Sequence, residues 1–408
     1  MSKNKLIQVF EYQKLKIGQD GFTESNFQAL VLFNEKNGNK YFTTVHKGIL
    51  FNSYVGVIQI GGLTIEILPK ADNSDNKLLW RDVLLHMLKE CKLIQVDNIS
   101  ETHLKKRYNS FLEAYYDIYL NEIEYLIKRG LIKKYRKNQS NQFSLKGKLL
   151  FSQNIQKNVV HKERFYCSHQ VYDRNNIIHQ ILLEGVSVLQ HLEDGKFTDR
   201  INRIMFEFDK IDKVKITSRH FEMVQTNRKT KPYTNAVQIA KMLILNYSPN
   251  ISSGTENMLT LLFDMNKLWE EYIFRILHKY KPANYKVSYQ NSDKFWENKR
   301  IKPDILIRKE NGENFIIDTK WKVVTSNKPS DQDLKQMFVY NLHWESPQSM
   351  LLYPQIDQKD SEFGNYKFIY NNKINQCKLG FVSILDSGSI KKGKDLGKEI
   401  FRKTNTII

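Results

Sequence analysis

Apolar and polar residues alternate in the first part of the chain and predict β-structure there. The alternation is clearest in VGVIQI and LTIEILP, which flank Gly61 and Gly62. Two glycines between alternating stretches are typical of a two-residue β-hairpin turn. The shorter apolar stretches QALVLF and GILF are separated by asparagine and glycine, as further strands would be. We therefore expect a β-rich N-terminal region over residues 1–75.

The apolar spacing changes to a helical period after this region. Leucine, valine and methionine recur every three or four positions in NKLLWRDVLLHMLKEC, residues 76–91, which is the period of an amphipathic helix. The same period predicts helices over about 109–130, 174–194 and 234–246. Two of these are followed by glycine, which is common at helix C-termini. Residues 76–250 are therefore predicted to form a mainly helical middle region.

Helical and strand-like patterns alternate in the remainder of the chain. A helical pattern over 255–280 precedes a strand pair, and a second helix is predicted over about 330–344. The stretches SMLLYP, YKFIY and KLGFVSIL follow as strands. This order is typical of an α/β domain, which we assign to residues 251–408. The chain is thus expected to be an α+β multidomain protein with a β-rich N-terminal region, a helical middle and a C-terminal α/β domain.

Three ionic side chains interrupt the apolar strand pair KPDILIRKENGENFIIDTKWK, residues 302–322. Asp304 begins the first strand, and Asp318 and Lys320 end the second. Because the start of one hairpin strand lies beside the end of the other, the two aspartates are expected to approach each other. Asp318 and Lys320 are two positions apart, so they project from the same face. The three charges should converge at one end of the sheet.

Two adjacent carboxylates repel each other, and a divalent cation relieves this repulsion. Mg²⁺ prefers oxygen ligands, and the backbone carbonyl of Thr319 offers a third oxygen beside Asp304 and Asp318. Lys320 can orient or help deprotonate a water and stabilise negative charge on a phosphate. The pattern therefore predicts metal-dependent phosphodiester hydrolysis. The alternative is an ordinary hairpin in which Lys320 is a solvated edge charge.

Pro303-Asp304 and Asp318-Thr319-Lys320 resemble the PD-(D/E)XK nuclease signature. The resemblance implies a restriction-endonuclease-like fold for the C-terminal domain. Such folds often place a further metal-site acid on the preceding helix, and Glu270 in NKLWEEY occupies that place, unless it is a solvent-facing acid. Gln336 and Tyr340 on the following helix form a QxxxY arrangement that would help hold the site or the DNA, unless both are ordinary helix residues.

Seven stretches along nearly the whole chain make it similar to the McrC family, the nuclease subunit of McrBC-type modification-dependent (type IV) restriction systems. They are GGLTIEILPK, LKGKLLF, YDRNNIIHQIL, LLFDMNKLWEEYI, PDILI, IIDTKWK and DLKQMFVY. The resemblance implies docking on a hexameric ring of McrB-like AAA+ GTPases, with residues 1–75 entering the central pore and GTP hydrolysis stimulated. The partner would bind GTP, and this chain would use Mg²⁺ to cut double-stranded foreign DNA carrying modified, methylcytosine-type bases.

Composition agrees with a polyanionic partner. The net charge is +19 and the pI is about 9.5, values that favour nucleic-acid binding. Residues 128–148 contain eight lysines and arginines and no acid. This segment could contact the DNA backbone, an acidic pore of the partner, or only solvent. Three widely spaced cysteines and the lack of a long apolar run predict a cytoplasmic protein with no membrane association.

Residues 388–395, GSIKKGKD, nearly match the phosphate-binding loop GxxxxGK[ST], but Asp395 stands where a hydroxyl should bind Mg²⁺. We expect a polar loop leading into a surface helix, which agrees with a GTPase on another polypeptide. Two other functions stay open at this point. One is a stand-alone PD-(D/E)XK DNA nuclease of repair or recombination, which would cut without a partner. The other is a non-cleaving activator of an AAA+ ring.

Overall fold

A computed structural model describes residues 5–71, 75–93, 110–248, 257–322, 329–354, 359–367, 374–386 and 388–404. The chain divides into two compact units. The middle unit includes Gln59–Gly62 and Leu112–Leu261, and the terminal unit contains the described parts of Lys5–Ile58, Leu63–Phe111 and Leu262–Ile408. The N-terminal strands and the C-terminal α/β region thus belong to the same compact unit. The division into functional modules 1–75, 76–250 and 251–408 stays a prediction.

Eleven α-helices lie within the described residues. They are α1 Glu24–Lys36, α2 Lys77–Glu90, α3 Phe111–Arg129, α4 Phe151–Asn158, α5 Ile177–Leu192, α6 Thr198–Glu207, α7 Ser218–Glu222, α8 Thr234–Leu245, α9 Met265–Tyr280, α10 Asp331–His343 and α11 Gly393–Lys403. None of the helices in the described segments is both long enough and apolar enough to cross a membrane. The helices predicted over 76–91, 109–130, 174–194, 234–246 and 330–344 are confirmed within a few residues.

The strands are short and fall into several sheets. They are β1 Lys5–Phe10, β2 Lys14–Lys16, β3 Phe42–Val45, β4 Gly48–Phe51, β5 Tyr54–Ile60, β6 Leu63–Leu68, β7 Lys134–Gln142, β8 Lys148–Leu149, β9 Phe165–Asp173, β10 Tyr247–Ser248, β11 Met258–Asp264, β12 Lys286–Tyr289, β13 Asp293–Trp296, β14 Lys299–Ile301, β15 Ile305–Arg308, β16 Asn314–Thr319, β17 Gln348–Pro354, β18 Gly364–Asn365, β19 Gln376–Val382, β20 Leu385–Asp386 and β21 Ser389–Ile390. The predicted strand YKFIY, residues 366–370, lies mostly outside the described residues.

The predicted hairpin around Gly61 is confirmed. Strands β5 and β6 are neighbours, and Gly61 has a φ of 51° at the turn between them, a conformation that glycine adopts at little cost. Strand β1 runs parallel to β6, from Lys5 opposite Leu63 to Phe10 opposite Leu68. The N-terminal region therefore has the β-rich character that the alternation predicted.

Two apolar stretches were assigned wrongly from the sequence. QALVLF is part of α1, where the Thr23 side chain accepts a hydrogen bond from the backbone of Asn26 in a capping box and so begins the helix. The first part of the helix predicted over 255–280 is strand β11 instead, and α9 begins only after Asp264, whose carboxylate accepts from the N–H of Asn266. Short apolar runs fit either structure, and here the N-cap residues decide between them.

The middle unit contains the predicted helices α3, α5 and α8 together with a sheet that the helical periodicity did not predict. Strand β9 pairs antiparallel with both β7 and β8. The basic segment 128–148 covers the end of α3 and nearly all of this β7–β8 stretch. Tyr135 and Phe143 within it are 71% and 79% exposed. The segment therefore presents aromatic and basic side chains to solvent.

A six-stranded mixed sheet forms the core of the C-terminal α/β region, in the order β12-β15-β16-β17-β19-β18. Strands β12, β15 and β16 are antiparallel neighbours, and β16, β17 and β19 run parallel. Helix α10 buries Met337 and Tyr340 against Ile316, Leu351 and Leu379 of the sheet. Helix α9 contacts β12 and β16. The mixed α/β character predicted for this region is confirmed, and the charged stretch 302–322 runs through two of its strands.

Candidate active site

Asp304 and Asp318 lie next to each other at one end of the six-stranded sheet. Ile305 pairs with Ile317 on the antiparallel strands β15 and β16, which brings the preceding and following aspartates together. The backbone N–H of Thr319 donates to Oδ2 of Asp304 at 2.7 Å, and its hydroxyl donates to the same oxygen at 3.0 Å. Asp304 is therefore held in a fixed position beside the end of β16.

Lys320 lies beside the two aspartates and contacts several side chains of the site. Its Nζ lies 2.7 Å from Oδ2 of Asp318 and 3.5 Å from Oδ1 of Asp333, and it donates to Oε1 of Gln336 at 3.4 Å. Burial lowers the pKa of Lys320, but the carboxylates around it, Asp318 first, outweigh burial and raise that pKa above its ordinary value. The lysine is thus a charged ammonium at neutral pH.

The buried carboxyl groups hold protons more strongly than usual. Burial, and then repulsion from Asp304, raise the pKa of Asp318 to about 7 although Lys320 lowers it. Burial, and then Glu270, raise the pKa of Asp304 to about 6 against the lowering effect of the Thr319 hydrogen bonds. The raised pKa values mean that the state in which both neighbouring carboxyl groups are ionised is unfavourable. A positive charge added between them would relieve that destabilisation.

Glu270 faces this group from helix α9. Its Oε1 accepts a hydrogen bond from Nε2 of Gln290 at 2.7 Å. Burial raises its pKa, and the charge of Asp318 raises it further, while Lys302 and a hydrogen bond with Asp304 lower it. Because Glu270 interacts with both aspartates, it is part of the carboxylate cluster and not a solvent-facing helix acid.

Gln336 of helix α10 accepts from Lys320, and Tyr340 of the same helix supports Gln336. Nε2 of Gln336 donates to the hydroxyl of Tyr340 at 2.7 Å, and that hydroxyl donates to the carbonyl of Lys302 at 2.8 Å. Burial raises the pKa of Tyr340 to about 12, so it stays a neutral donor. Their spacing of one helical turn places the two side chains on the same face of the helix, where they contact each other. The predicted site residues are thus brought together, and their chemical roles stay predictions.

Sequence reasoning missed three side chains of the site. Asp333 bridges Lys320 and Lys322, the latter at 3.0 Å from its Oδ2, and Gln290 and Lys302 contact one another at 3.2 Å beside Glu270. The signal for Asp333 was its place three residues after Ser330, whose side chain accepts its N–H. That spacing indicates a helix start but not which way the carboxylate points.

The donor set fits a hard cation better than a soft one. Among the described residues, no three His, Cys, Asp or Glu side chains have the spacing of a preformed metal site. Asp318 is only 2% exposed, and its Oδ2 forms an ion pair with the Lys320 ammonium at 2.7 Å. Two aspartates, a nearby glutamate and backbone oxygen give an oxygen-only set, which Mg²⁺ accepts with waters completing its shell.

Comparisons with known proteins agree on one family. The family model described as McrBC 5-methylcytosine restriction system component matches residues 49–354. A chain of the refined half-complex from a tetradecameric assembly of Thermococcus gammatolerans McrB AAA+ hexamers with bound McrC is 18% identical, with a TM-score of 0.74 covering 99% of this chain and 100% of that one. A chain of the Thermococcus gammatolerans McrBC complex is 19% identical, with a TM-score of 0.51 covering 68% and 88%. No curated protein matches.

Proposed function

The chain belongs to the McrBC family of restriction-system components, and on that premise we propose that it is the Mg²⁺-dependent DNA endonuclease subunit of such a system. The C-terminal α/β region would be its PD-(D/E)XK nuclease domain. The substrate would be foreign double-stranded DNA carrying methylcytosine-type bases, cut in the cytoplasm. The observation that carries the proposal is the convergence of Asp304, Asp318 and Lys320 at one sheet end, with Lys320 Nζ 2.7 Å from Asp318.

The side chains suit phosphodiester hydrolysis. Asp304 and Asp318 would hold Mg²⁺ together with the Thr319 carbonyl, and Glu270 would add a contact directly or through water. Mg²⁺ bound there would supply Lewis-acid stabilisation of phosphate charge. The Lys320 ammonium is held in its charged form by the surrounding carboxylates, so it would stabilise the negative charge that develops on phosphate oxygens and orient the attacking water.

The proposed partner is a hexameric AAA+ ring of the McrB type. The similar chain with a TM-score of 0.74 comes from an assembly of McrB AAA+ hexamers with bound McrC, which supports docking of this chain on such a ring. We propose that residues 1–75 enter the pore, and that docking stimulates GTP hydrolysis by the ring. In the described residues, the stretch 388–395 forms a short strand and the start of α11, with Asp395 in its first turn. It lacks the hydroxyl of a phosphate-binding loop, so GTP would be bound by the partner.

The proposal is tested by assembling the chain with its ring partner, GTP and Mg²⁺ on methylated and unmethylated duplex DNA. Asp318→Ala and Lys320→Ala should each lower the cleavage rate by at least about a hundredfold, because each removes transition-state stabilisation of several kcal/mol. Both variants should still bind the ring and stimulate GTP hydrolysis. That split separates the cutting site from the docking surface.

Matched controls lie on helix α10. Asp331 and Lys335 are exposed there, and Asp331→Ala and Lys335→Ala should cut at the rate of the unmodified complex. Undiminished cutting by Asp318→Ala would refute the site. Robust cutting without the ring would favour a stand-alone nuclease, and stimulated GTP hydrolysis without any cutting would favour a non-cleaving activator.

A further inference from the structure

A small β-hairpin leaves the sheet at the same end as the carboxylate cluster. Tyr289 of β12 pairs with Ile305 of β15, so residues 290–304 form an excursion between two neighbouring strands. Strands β13 and β14 pair within this excursion, with a register shift between Lys294 and Trp296. We call residues 293–301 the aromatic hairpin. Asp304 is the last residue of the excursion. The hairpin therefore leaves and rejoins the sheet beside the two aspartates.

The base of the aromatic hairpin is bonded to residues of the site. The N–H of Gln290 donates to the carbonyl of Asp304 at 2.9 Å, and its side chain donates to Glu270 at 2.7 Å. At the other end of the excursion, the backbone carbonyl of Lys302 accepts from the Tyr340 hydroxyl. The Nζ of Lys302 donates to the side chain of Gln290 at 3.2 Å. Both ends of the excursion are therefore fixed to the side chains that surround the two aspartates.

The hairpin itself is exposed, aromatic and mainly basic. Phe295 is 56% exposed and Trp296 is 62% exposed. Lys294 lies opposite Arg300, and Trp296 lies opposite Lys299, and all of these cations are exposed. Of the two acids, Asp293 lies 3.2 Å from His343, and Glu297 is at the turn with a φ of 47°. Lys294 and Arg300 face each other across the strands, where like charges repel, and Asp293 is a nearby acid that interacts with Arg300.

Duplex DNA is the occupant that this surface fits. Cations suit the phosphate backbone, and an exposed indole beside them can insert into a groove of the duplex as an apolar wedge. A protein partner would be expected to cover the aromatic side chains without requiring the facing cations. We propose that the aromatic hairpin grips the DNA next to the scissile phosphodiester, with Lys294, Lys299 and Arg300 on phosphates and Trp296 against the bases. This inference rests on the proposed nuclease function.

The consequence is a positioning role for the hairpin. Its base is bonded to Glu270, Asp304 and Tyr340, so a duplex held on its surface lies in a fixed place relative to the carboxylate cluster. The hairpin needs no contact with the reacting atoms, and its residues are binding and positioning residues. Removing its contacts should therefore weaken DNA binding even when no cleavage takes place.

The test measures DNA binding by the full chain carrying Asp318→Asn to suppress cutting. Fluorescence anisotropy of a short labelled duplex is followed against salt concentration. Trp296→Ala should weaken binding roughly fivefold or more, because it removes the apolar side chain that enters the groove, whereas Trp296→Phe should retain most of the affinity. The double change Lys299→Ala with Arg300→Ala should lower the slope of log K against log salt by about two, one for each phosphate contact.

Phe206→Ala and Lys335→Ala are the controls, since Phe206 is 78% exposed on α6 and Lys335 is exposed on α10. Both should bind DNA like the Asp318→Asn background. Unchanged affinity and salt slope in the hairpin variants would overturn the inference. So would a loss of ring-stimulated GTP hydrolysis with DNA affinity intact, because the hairpin would then be a protein contact.

Failure of the proposed function gives a different result. If the unmodified complex does not cut but the hairpin variants lose DNA affinity, the nuclease proposal fails and the DNA-binding hairpin stands. The hairpin changes are also made in the chain that keeps Asp318. If these variants bind and cut DNA as well as the unmodified complex, only the hairpin inference fails.

Discussion

Trp321 donates its indole N–H to Oε1 of Glu11 at 2.6 Å, although the two residues are 310 positions apart in the chain. Glu11 follows strand β1, and Trp321 directly follows Lys320. Oε1 of Glu11 also accepts from the backbone N–H of Lys70 at 3.1 Å, and Trp321 packs edge-on to Trp269 with centroids 5.4 Å apart. The backbone that carries Lys320 is thus fastened to the N-terminal strands within the terminal unit.

Trp321→Phe should test what this hydrogen bond contributes. Phenylalanine keeps most of the packing on Trp269 but leaves the buried Glu11 carboxyl without its side-chain donor. We expect the free energy of unfolding in urea to fall by about 0.5–1.5 kcal/mol, the usual net contribution of one hydrogen bond, because Oε1 of Glu11 keeps its bond from the Lys70 N–H. We also expect the turnover rate of the assembled complex to fall more than its affinity for DNA, since Lys320 is the adjacent residue.

Trp296→Phe is the matched control for stability, because Trp296 is exposed on the aromatic hairpin. The same replacement there should leave the urea midpoint within experimental error. An unfolding free energy for Trp321→Phe equal to that of the control would mean that the bond to Glu11 contributes nothing.

Glu11 should also give the stability curve a pH dependence. Burial raises its pKa from 4.5 to about 7, although the hydrogen bonds from Trp321 and Lys70 lower it. Between these values the folded protein keeps a proton that the unfolded chain has lost, so the unfolding free energy falls as pH rises. Glu11→Gln should remove the contribution of Glu11 to this decrease in unfolding free energy, which is up to about 3 kcal/mol between about pH 5 and pH 8. Glu35→Gln, at an exposed position, should leave the curve unchanged.

Metal binding by the carboxylate cluster should be visible without any cleavage. Mg²⁺ should raise the melting temperature of the chain, because it binds the folded state and relieves the repulsion between Asp304 and Asp318. The pKa values of about 6 and about 7 mean that protons compete with the cation as pH falls. The Mg²⁺-dependent shift should therefore be large at about pH 8 and nearly absent at about pH 5.

Variants of the two aspartates define the site of that shift. Asp304→Asn and Asp318→Asn should each abolish the Mg²⁺-dependent increase in melting temperature, while Asp331→Asn on the exposed start of α10 should keep it. A full Mg²⁺ shift in the two site variants would contradict the assignment, whatever their cleavage rates.

The proximity of Asp304 and Asp318 was predictable because they lie on one local element, whereas the contacts around them were not; their chemical roles stay predictions. Asp304 and Asp318 belong to one hairpin, so register alone brings them together, and Gln336 and Tyr340 are one turn apart on one helix. By contrast, the contact of Glu11 with Trp321 depends on how distant segments pack, and no periodicity records it. The strand assigned to QALVLF was wrong for a related reason, since a short apolar run does not distinguish helix from strand.

Tyr340→Phe should separate support of the site from support of the fold. The hydroxyl of Tyr340 links Gln336 to the carbonyl of Lys302, and Gln336 in turn accepts from Lys320. Without it, Lys320 loses an orienting neighbour, and we expect the cleavage rate to fall about tenfold, the equivalent of about 1.4 kcal/mol. The affinity for DNA should change little.

Tyr366→Phe provides a closely matched comparison. Its hydroxyl also donates to a carbonyl at 2.8 Å, that of Leu334 on the same helix, but within the described segments no hydrogen bond links this hydroxyl to the carboxylate cluster. Both variants should lose a similar 0.5–1.5 kcal/mol or so of stability, and only Tyr340→Phe should lose cleavage. Equal cleavage rates in the two variants would mean that Tyr340 supports the packing of α10 on the sheet and not the placement of Lys320.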